Sequence, residues 1–170
     1  MGKETFQRRT HLPGTDPAIL VMGVVEMPVE IRVREATPDD AEAVAELLQQ
    51  LGYPNTPDSV RSRLDELSLK SDYRAFVAEC GGQVAGVVGF HVIQFFERDG
   101  LWCRLTALVV GDRFRGRGVG RRLVEHVEAI ATDLGCSQVE LNSGEQRIGA
   151  HAFYSHLGYE QVSRRFRKLL

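Results

Sequence analysis

The residues best suited to chemistry lie in one run, Val109-Val110-Gly111-Asp112-Arg113-Phe114-Arg115-Gly116-Arg117-Gly118-Val119-Gly120-Arg121-Arg122. It reads as a strand end, a glycine and arginine loop, and a helix start. Glycine lets the backbone approach a ligand closely and adopt positive φ. The free N–H groups of a first helical turn favour anions. Five arginines within ten residues add positive charge beside that turn. Together these features describe a pyrophosphate cradle. Spacing narrows the ligand. A Walker loop counted from Gly111 would need Lys and Ser/Thr where Arg117 and Gly118 stand. A dinucleotide fingerprint counted from Gly116 would need glycine at Arg121. What remains is Arg115-x-x-Gly118-x-Gly120, after a strand and opening a long helix.

The elements that must position this loop follow from periodicity and punctuation. Residues 1–28 carry Pro13, Gly14, Pro17 and Pro28 without a sustained period, so they read as a flexible arm with one strand-like run at 19–25. Residues 29–170 form a single domain, which opens on an alternating edge strand at 30–34. Thr37-Pro38-Asp39-Asp40 starts a helix: Thr37 caps, Pro38 takes the first helical position, and the acids face the positive end. Val44, Leu47, Leu48 and Leu51 give its apolar stripe, and Gly52 stops it. Thr56-Pro57-Asp58 starts a second helix with Val60, Leu64 and Leu67 inward. Strands at 74–79 and 83–95 are joined by Cys80-Gly81-Gly82, and a turn at 97–100 leads into a third strand at 101–110. In that strand Cys103, Leu105, Ala107 and Val109 make one apolar face. Trp102, Arg104, Thr106, Leu108 and Val110 make a mixed face, as expected where a ligand lies along a strand. A long helix carries Val119, Leu123, Val127, Ile130 and Leu134 on one side and ends at Gly135. A strand at 137–142, a short helix ended by Gly158 and a last strand from Tyr159 complete the order. That order implies an α/β protein with a mixed sheet and helices on both faces.

Arg115, Gly118 and Gly120 match the Gln/Arg-x-x-Gly-x-Gly/Ala signature of the GNAT superfamily of acetyl-coenzyme A-dependent N-acetyltransferases. Ala150, Phe153, Tyr154, Gly158 and Tyr159 match that family's A-x-x-F-Y-x-x-x-G-F/Y helix ending. From about residue 30 to residue 168 the chain therefore resembles this superfamily. The resemblance implies a GNAT-like fold with a mixed, mostly antiparallel sheet of six to seven strands. It implies transfer of acetyl from acetyl-CoA to an amine, by direct attack in a ternary complex. The pantetheine arm would lie along Leu108, Val109 and Val110. The pyrophosphate would rest on the N–H groups of Arg115, Gly116, Arg117, Gly118, Val119 and Gly120, with Arg121 reaching its phosphates. The resemblance adds coenzyme contacts at Asn142 and Phe153. The backbone N–H of Leu108 would donate to the oxyanion. Tyr154 would protonate the leaving thiolate, a sound match because phenol and thiol have pKa values of about 10 and about 8.5.

Two positions depart from the family pattern: Arg147 stands where many relatives have Asn, and Arg104 stands near where some carry a catalytic glutamate. An alkylammonium has a pKa of ~10.4 and must lose a proton before it attacks. Glu97, Glu140 and His151 are the candidate bases, and attack without a dedicated base stays open. Cys103 is disfavoured as an acyl carrier because it lies on the apolar strand face. The acceptor side should be built from the Tyr53-Pro54 loop, the 97–100 loop and the last strand, with Tyr53, Phe96 and Trp102 as an aromatic wall. A small-molecule or peptide amine fits equally. The two departures keep a rival reading open, a catalytically silent CoA-binding or sensing domain.

Composition bounds the remaining choices. Of 170 residues, 21 are Lys or Arg and 23 Asp or Glu, a formal charge of −2, which argues against a nucleic-acid binder. The Arg113–Arg122 cluster also lacks the paired strand aromatics that single-stranded nucleic acid would need. Cys80, Cys103 and Cys136 lie far apart with no C-x-x-C spacing, so no metal site or disulfide is expected. The longest apolar run, 18–25, is too short to cross a membrane, which takes ~20 residues. Arg8-Arg9 lacks a following cleavage site, and Phe6 breaks a myristoylation pattern. The expectation is a soluble cytoplasmic enzyme without membrane contact, with a homodimer left open.

Overall fold

Threonine–proline pairs start both early helices, as the sequence predicts. The structure is a computed structural model that describes residues 30–162 and 166–169, so the arm at 1–28 lies outside the described residues. After β1 (Ile31–Glu35), Thr37 sets a 3-10 turn at Pro38–Asp40 that runs into α1 (Ala41–Leu51). Gly52 closes α1 at φ +98°. The Thr56 hydroxyl accepts the Ser59 N–H at 3.2 Å and opens α2 (Pro57–Ser68). Then follow β2 (Tyr73–Cys80), β3 (Gln83–Gln94), β4 (Leu101–Val110), α3 (Val119–Asp133), β5 (Cys136–Leu141) and α4 (Ile148–His156).

The strands pair in sequence order, β1-β2-β3-β4-β5. The first three pairings are antiparallel and β4–β5 is parallel, so the sheet is mixed, mostly antiparallel and open. Among the described residues it has five strands, fewer than the six to seven expected. The strand-like run at 19–25 lies outside the described residues, and 159–162 and 166–169 carry no strand. Tyr159 is held by its side chain rather than by a ladder: its ring packs beside the core under α3, and its hydroxyl donates to Glu128 at 2.9 Å.

Helices cover both faces. Val44 and Leu47 of α1 and Val60 and Leu64 of α2 bury Val77, Val87 and Val109 on one face. Val119, Leu123, Val124 and Val127 of α3 bury Phe76, Val88, Phe90, Cys103 and Leu105 on the other. Among the described residues no helix is long and apolar enough to cross a membrane.

The expected apolar face of β4 is split. Phe90 sits opposite Leu105 while Gly89 sits opposite Ala107, so Thr106 is an extra residue in a β-bulge. An extra residue exchanges the faces of everything beyond it. Cys103 and Leu105 therefore share the α3-side core with Leu108 and Val110, whereas Val109 enters the opposite core.

One ion-pair network ties the start of α1 to the sheet. Arg34 on β1 donates to Asp40 at 2.8 and 2.7 Å and to Glu79 at 2.7 Å, and Asp40 also accepts the Thr37 N–H at 2.8 Å. Burial pushes the Asp40 carboxyl up, but these hydrogen bonds outweigh it and leave it below its ordinary 3.8. A carboxyl lowered by folding adds stability above its unfolded pKa and loses it as pH falls through the folded value. Asp40→Asn should therefore cost about 2 kcal/mol at neutral pH, less than the ~3–5 of a fully buried pair because Arg34 is 30% exposed. Urea melts of both proteins should converge as pH drops below 3.8; a gap independent of pH would assign the loss to packing.

Candidate active site

The site begins where the sheet divides. The β4–β5 register ends at Leu105 opposite Leu141, yet β4 continues to Val110. Beyond Leu105, β4 is paired with β3 on one side only, which leaves main-chain N–H and C=O groups directed at the opening. A cleft follows the fork. Leu105, Thr106, Ala107 and Leu108 form its floor, and Leu141, Asn142 and Ser143 its β5 side. Leu51 and Tyr53 close it from the end of α1, and Arg147 and Tyr154 from α4. Val109 and Val110 turn their side chains into the two cores, so a ligand along this stretch would meet their backbone.

Past Val110 the chain makes a 3-10 turn at Asp112–Phe114 and enters α3 through the glycine loop. Gly116 and Gly118 have φ of +74° and +84°, which a side chain would strain. The Arg122 N–H donates to the Gly118 carbonyl at 3.0 Å, and the N–H groups of Val119, Gly120 and Arg121 ahead of it face outward as in any first turn. Gly120 answers a different need. A Cβ there would stand 3.2 Å from the Phe153 ring and 3.5 Å from Val110 Cγ2, so the missing side chain seats Phe153. Arg115 is committed to the loop itself: its guanidinium pairs with Asp112 at 2.7 Å and donates to the Val110 carbonyl at 3.3 Å. Arg121 and Arg122 share Glu125 at 3.8 Å. Arg117 has no acidic partner among the described residues.

Tyr154 packs edge-on between Phe153 and Tyr159, with ring centroids at 5.2 and 5.8 Å. Burial pushes its hydroxyl above the ordinary phenol value of 10, and the positive charge of Arg147 opposes that rise. The phenol therefore keeps its proton at neutral pH, as an acid must. Burial also pushes the Cys103 thiol up to about 12, which leaves it without nucleophilic thiolate.

None of the three candidate bases lines the cleft. Glu97 is exposed in the β3–β4 turn, Glu140 on β5 accepts from Gln138, and His151 lies on α4. Of the expected aromatic wall only Tyr53 reaches the cleft. Phe96 is fully exposed, and Trp102 stacks on Phe95. The structure supplies instead a pair that sequence reading did not find. The Tyr73 and Thr106 hydroxyls share a hydrogen bond of 2.5 Å across β3. They meet over Gly89, where a Cβ would stand 3.0 Å from the tyrosine oxygen and 3.1 Å from the threonine oxygen. Nothing in the sequence links positions 73 and 106; the bulge and the missing side chain at 89 bring them together.

Comparison with known proteins follows the same lines. The family model described as Acetyltransferase (GNAT) family matches residues 41–159. An aminoalkylphosphonate N-acetyltransferase of Salmonella typhimurium is 33% identical over 150 residues, covering 85% of this chain and 94% of that protein. The crystal structure of a GNAT family acetyltransferase from Staphylococcus aureus superposes with a TM-score of 0.71 at 26% identity, over 82% of this chain and 98% of that one. An aminoglycoside N-acetyltransferase solved in complex with CoA shares the fold, with a TM-score of 0.75 at 19% identity over 86% and 99% of the two chains.

The two influences on Tyr154 can be separated by titration. Arg147→Gln removes the opposing charge, so the Tyr154 hydroxyl should titrate at still higher pH than in the parent. Ultraviolet difference titration, with Tyr154→Phe to identify the signal, checks the direction; a downward move would overturn the assigned cause.

Proposed function

The chain belongs to the acetyltransferase (GNAT) family, and from that premise we propose that it moves acetyl from acetyl-CoA to an amine by direct attack in a ternary complex. The observation that carries this reading is the fork itself. An unpaired half-strand, a cleft lined by a protonated tyrosine, and a left-handed glycine loop adjoin the same second half of β4. An extended arm could pair with that edge as an added strand, which needs no change in the sheet. The positive-φ glycines and the first turn of α3 suit the pyrophosphate, so the residues present fit the coenzyme.

When bound, acetyl-CoA supplies the thioester carbonyl that the amine attacks. The residues of the chain divide the remaining work. The Leu108 N–H would hold the carbonyl oxygen as negative charge develops there. Arg115 fixes the loop, Phe153 braces it through Gly120, and the N–H groups from Gly116 to Arg121 would carry the pyrophosphate. Asn142 lines the cleft where the β5 side of the arm would pass. Tyr154 would give its proton to the departing sulfur. The incoming ammonium must shed its proton without a carboxylate among the described lining residues, so water or the Thr106 hydroxyl, held by Tyr73, would take the first hydrogen bond. The relative from Salmonella typhimurium is named for an acceptor that joins an amine to a phosphonate, which supports a small-molecule amine here. A silent coenzyme-binding domain is not favoured, because a protonated tyrosine faces the cleft.

Thiol release from acetyl-CoA across a panel of amines tests this reading directly. Tyr154→Phe should lower kcat by ~10²–10⁴-fold while the KM for acetyl-CoA moves little, because the ring stays in place. Equal turnover of the two proteins, with chemistry rate-limiting, would remove Tyr154 from the mechanism. Gly118→Val should weaken acetyl-CoA binding by about tenfold or more in calorimetry. Because Gly118 is at φ +84°, the same change should also lower thermal stability; a loss of stability with affinity unchanged would remove the loop from coenzyme binding.

A further inference from the structure

We propose that the acceptor is a zwitterion: an amine that also carries a carboxylate, phosphonate or phosphate, with Arg147 holding the anion while the amine faces Thr106. The inference rests on the acetyl-transfer reading above and names its acceptor class. Four observations carry it.

Among the described residues Arg147 is the single charged side chain lining the cleft; every other lining residue is apolar or neutral. It is exposed and forms no ion pair among the described residues. Its charge is felt inside the cleft, because it acts on the Tyr154 hydroxyl. Thr106, the extra residue of the bulge, lines the same cleft, and its hydroxyl shares a hydrogen bond with Tyr73 from across the sheet.

A cationic acceptor is ill served by such a cleft. An ammonium entering it gives up water and finds, among the described lining residues, one positive charge and no carboxylate. A diamine or polyamine brings a second positive charge and meets the same repulsion. An acceptor with its own anion arrives balanced, and a planar guanidinium is the donor set that suits carboxylate and phosphonate oxygens. The hydroxyl oxygen of Thr106 can accept an N–H bond from the amine end while Tyr73 holds that hydroxyl in place. Arg147 lines the stretch from Leu105 to Leu108, whereas the glycine cradle for the coenzyme lies beyond Val110. The anion of the acceptor and that of the coenzyme thus have separate cations.

The test uses the intact protein with acetyl-CoA and matched amines. β-Alanine and 2-aminoethylphosphonate carry the anion, 3-aminopropanol lacks it, and 1,4-diaminobutane carries a second cation. The parent should favour the anionic pair over 3-aminopropanol by about tenfold or more in kcat/KM, and the diamine least. Arg147→Gln should cut that ratio by about tenfold or more, and Arg147→Lys should retain part of it. The ratio cancels any change in Tyr154, which serves both amines alike. A ratio unchanged in Arg147→Gln, or a parent preference for the diamine, would overturn the acceptor class and leave acetyl transfer standing. A loss confined to the KM for acetyl-CoA would reassign Arg147 to the coenzyme and overturn it as well. Release of thiol with no amine at all would overturn the acetyl-transfer reading and the acceptor class together.

Discussion

The parting of β4 and β5 is the constraint on which the rest of the molecule depends. Two parallel neighbours cannot be joined by a tight turn, so the chain must leave the end of β4, cross the sheet as α3 and return to start β5. That crossover puts the first turn of α3 at the end of the half-strand that lacks a partner. One topological decision thus yields both the open main-chain edge and the anion-attracting helix end beside it. The fork is also kept apart. After Leu141 the chain turns into α4, and the ring of Phe153 lies against Gly120 and Val110 at the base of the opening.

The sheet divides the protein into two hydrophobic layers, and the cleft draws on both. Thr106 and the end of α1 come from the layer that faces α1 and α2, Tyr154 from the layer that α3 and α4 share. Reactive groups are distributed accordingly. The thiol of Cys103 lies in the dry layer and is chemically silent, whereas the phenol of Tyr154 keeps its proton and a route to the opening.

Local signals were legible in the sequence and long-range ones were not. Thr56 and Pro57 carry their own instruction for a helix start, and the period of Val119, Leu123 and Val127 fixes the buried side of α3 within that helix. The glycine loop was legible for the same reason, since its positive-φ positions depend on neighbours a few residues away. The faces of β4 were misread because alternation was carried through Thr106, and a bulge is decided by the partner strand. The last strand was expected at Tyr159, where a single side-chain anchor to Glu128 took the place of a ladder. Phe96 and Trp102 are aromatic residues near the right loop in sequence, but the hairpin carries them away from the fork. The three candidate bases lie outside the cleft lining for the same reason: carboxylates and imidazoles are easily counted, while their distance from a cleft is a property of the folded chain.

Gly89 illustrates a kind of inheritance that the cleft imposes on its own scaffold. It belongs to the middle strand, it is not among the residues that line the cleft, and yet Tyr73 and Thr106 cross directly over it, where a Cβ would stand 3.0 Å from one oxygen and 3.1 Å from the other. The three positions are in steric contact across three strands, so a change at one is felt at the other two. A side chain at residue 89 would press on both hydroxyls and shift the Thr106 oxygen that the bulge presents. Transferring the paired hydroxyls to a related scaffold would therefore mean moving a silent glycine along with them.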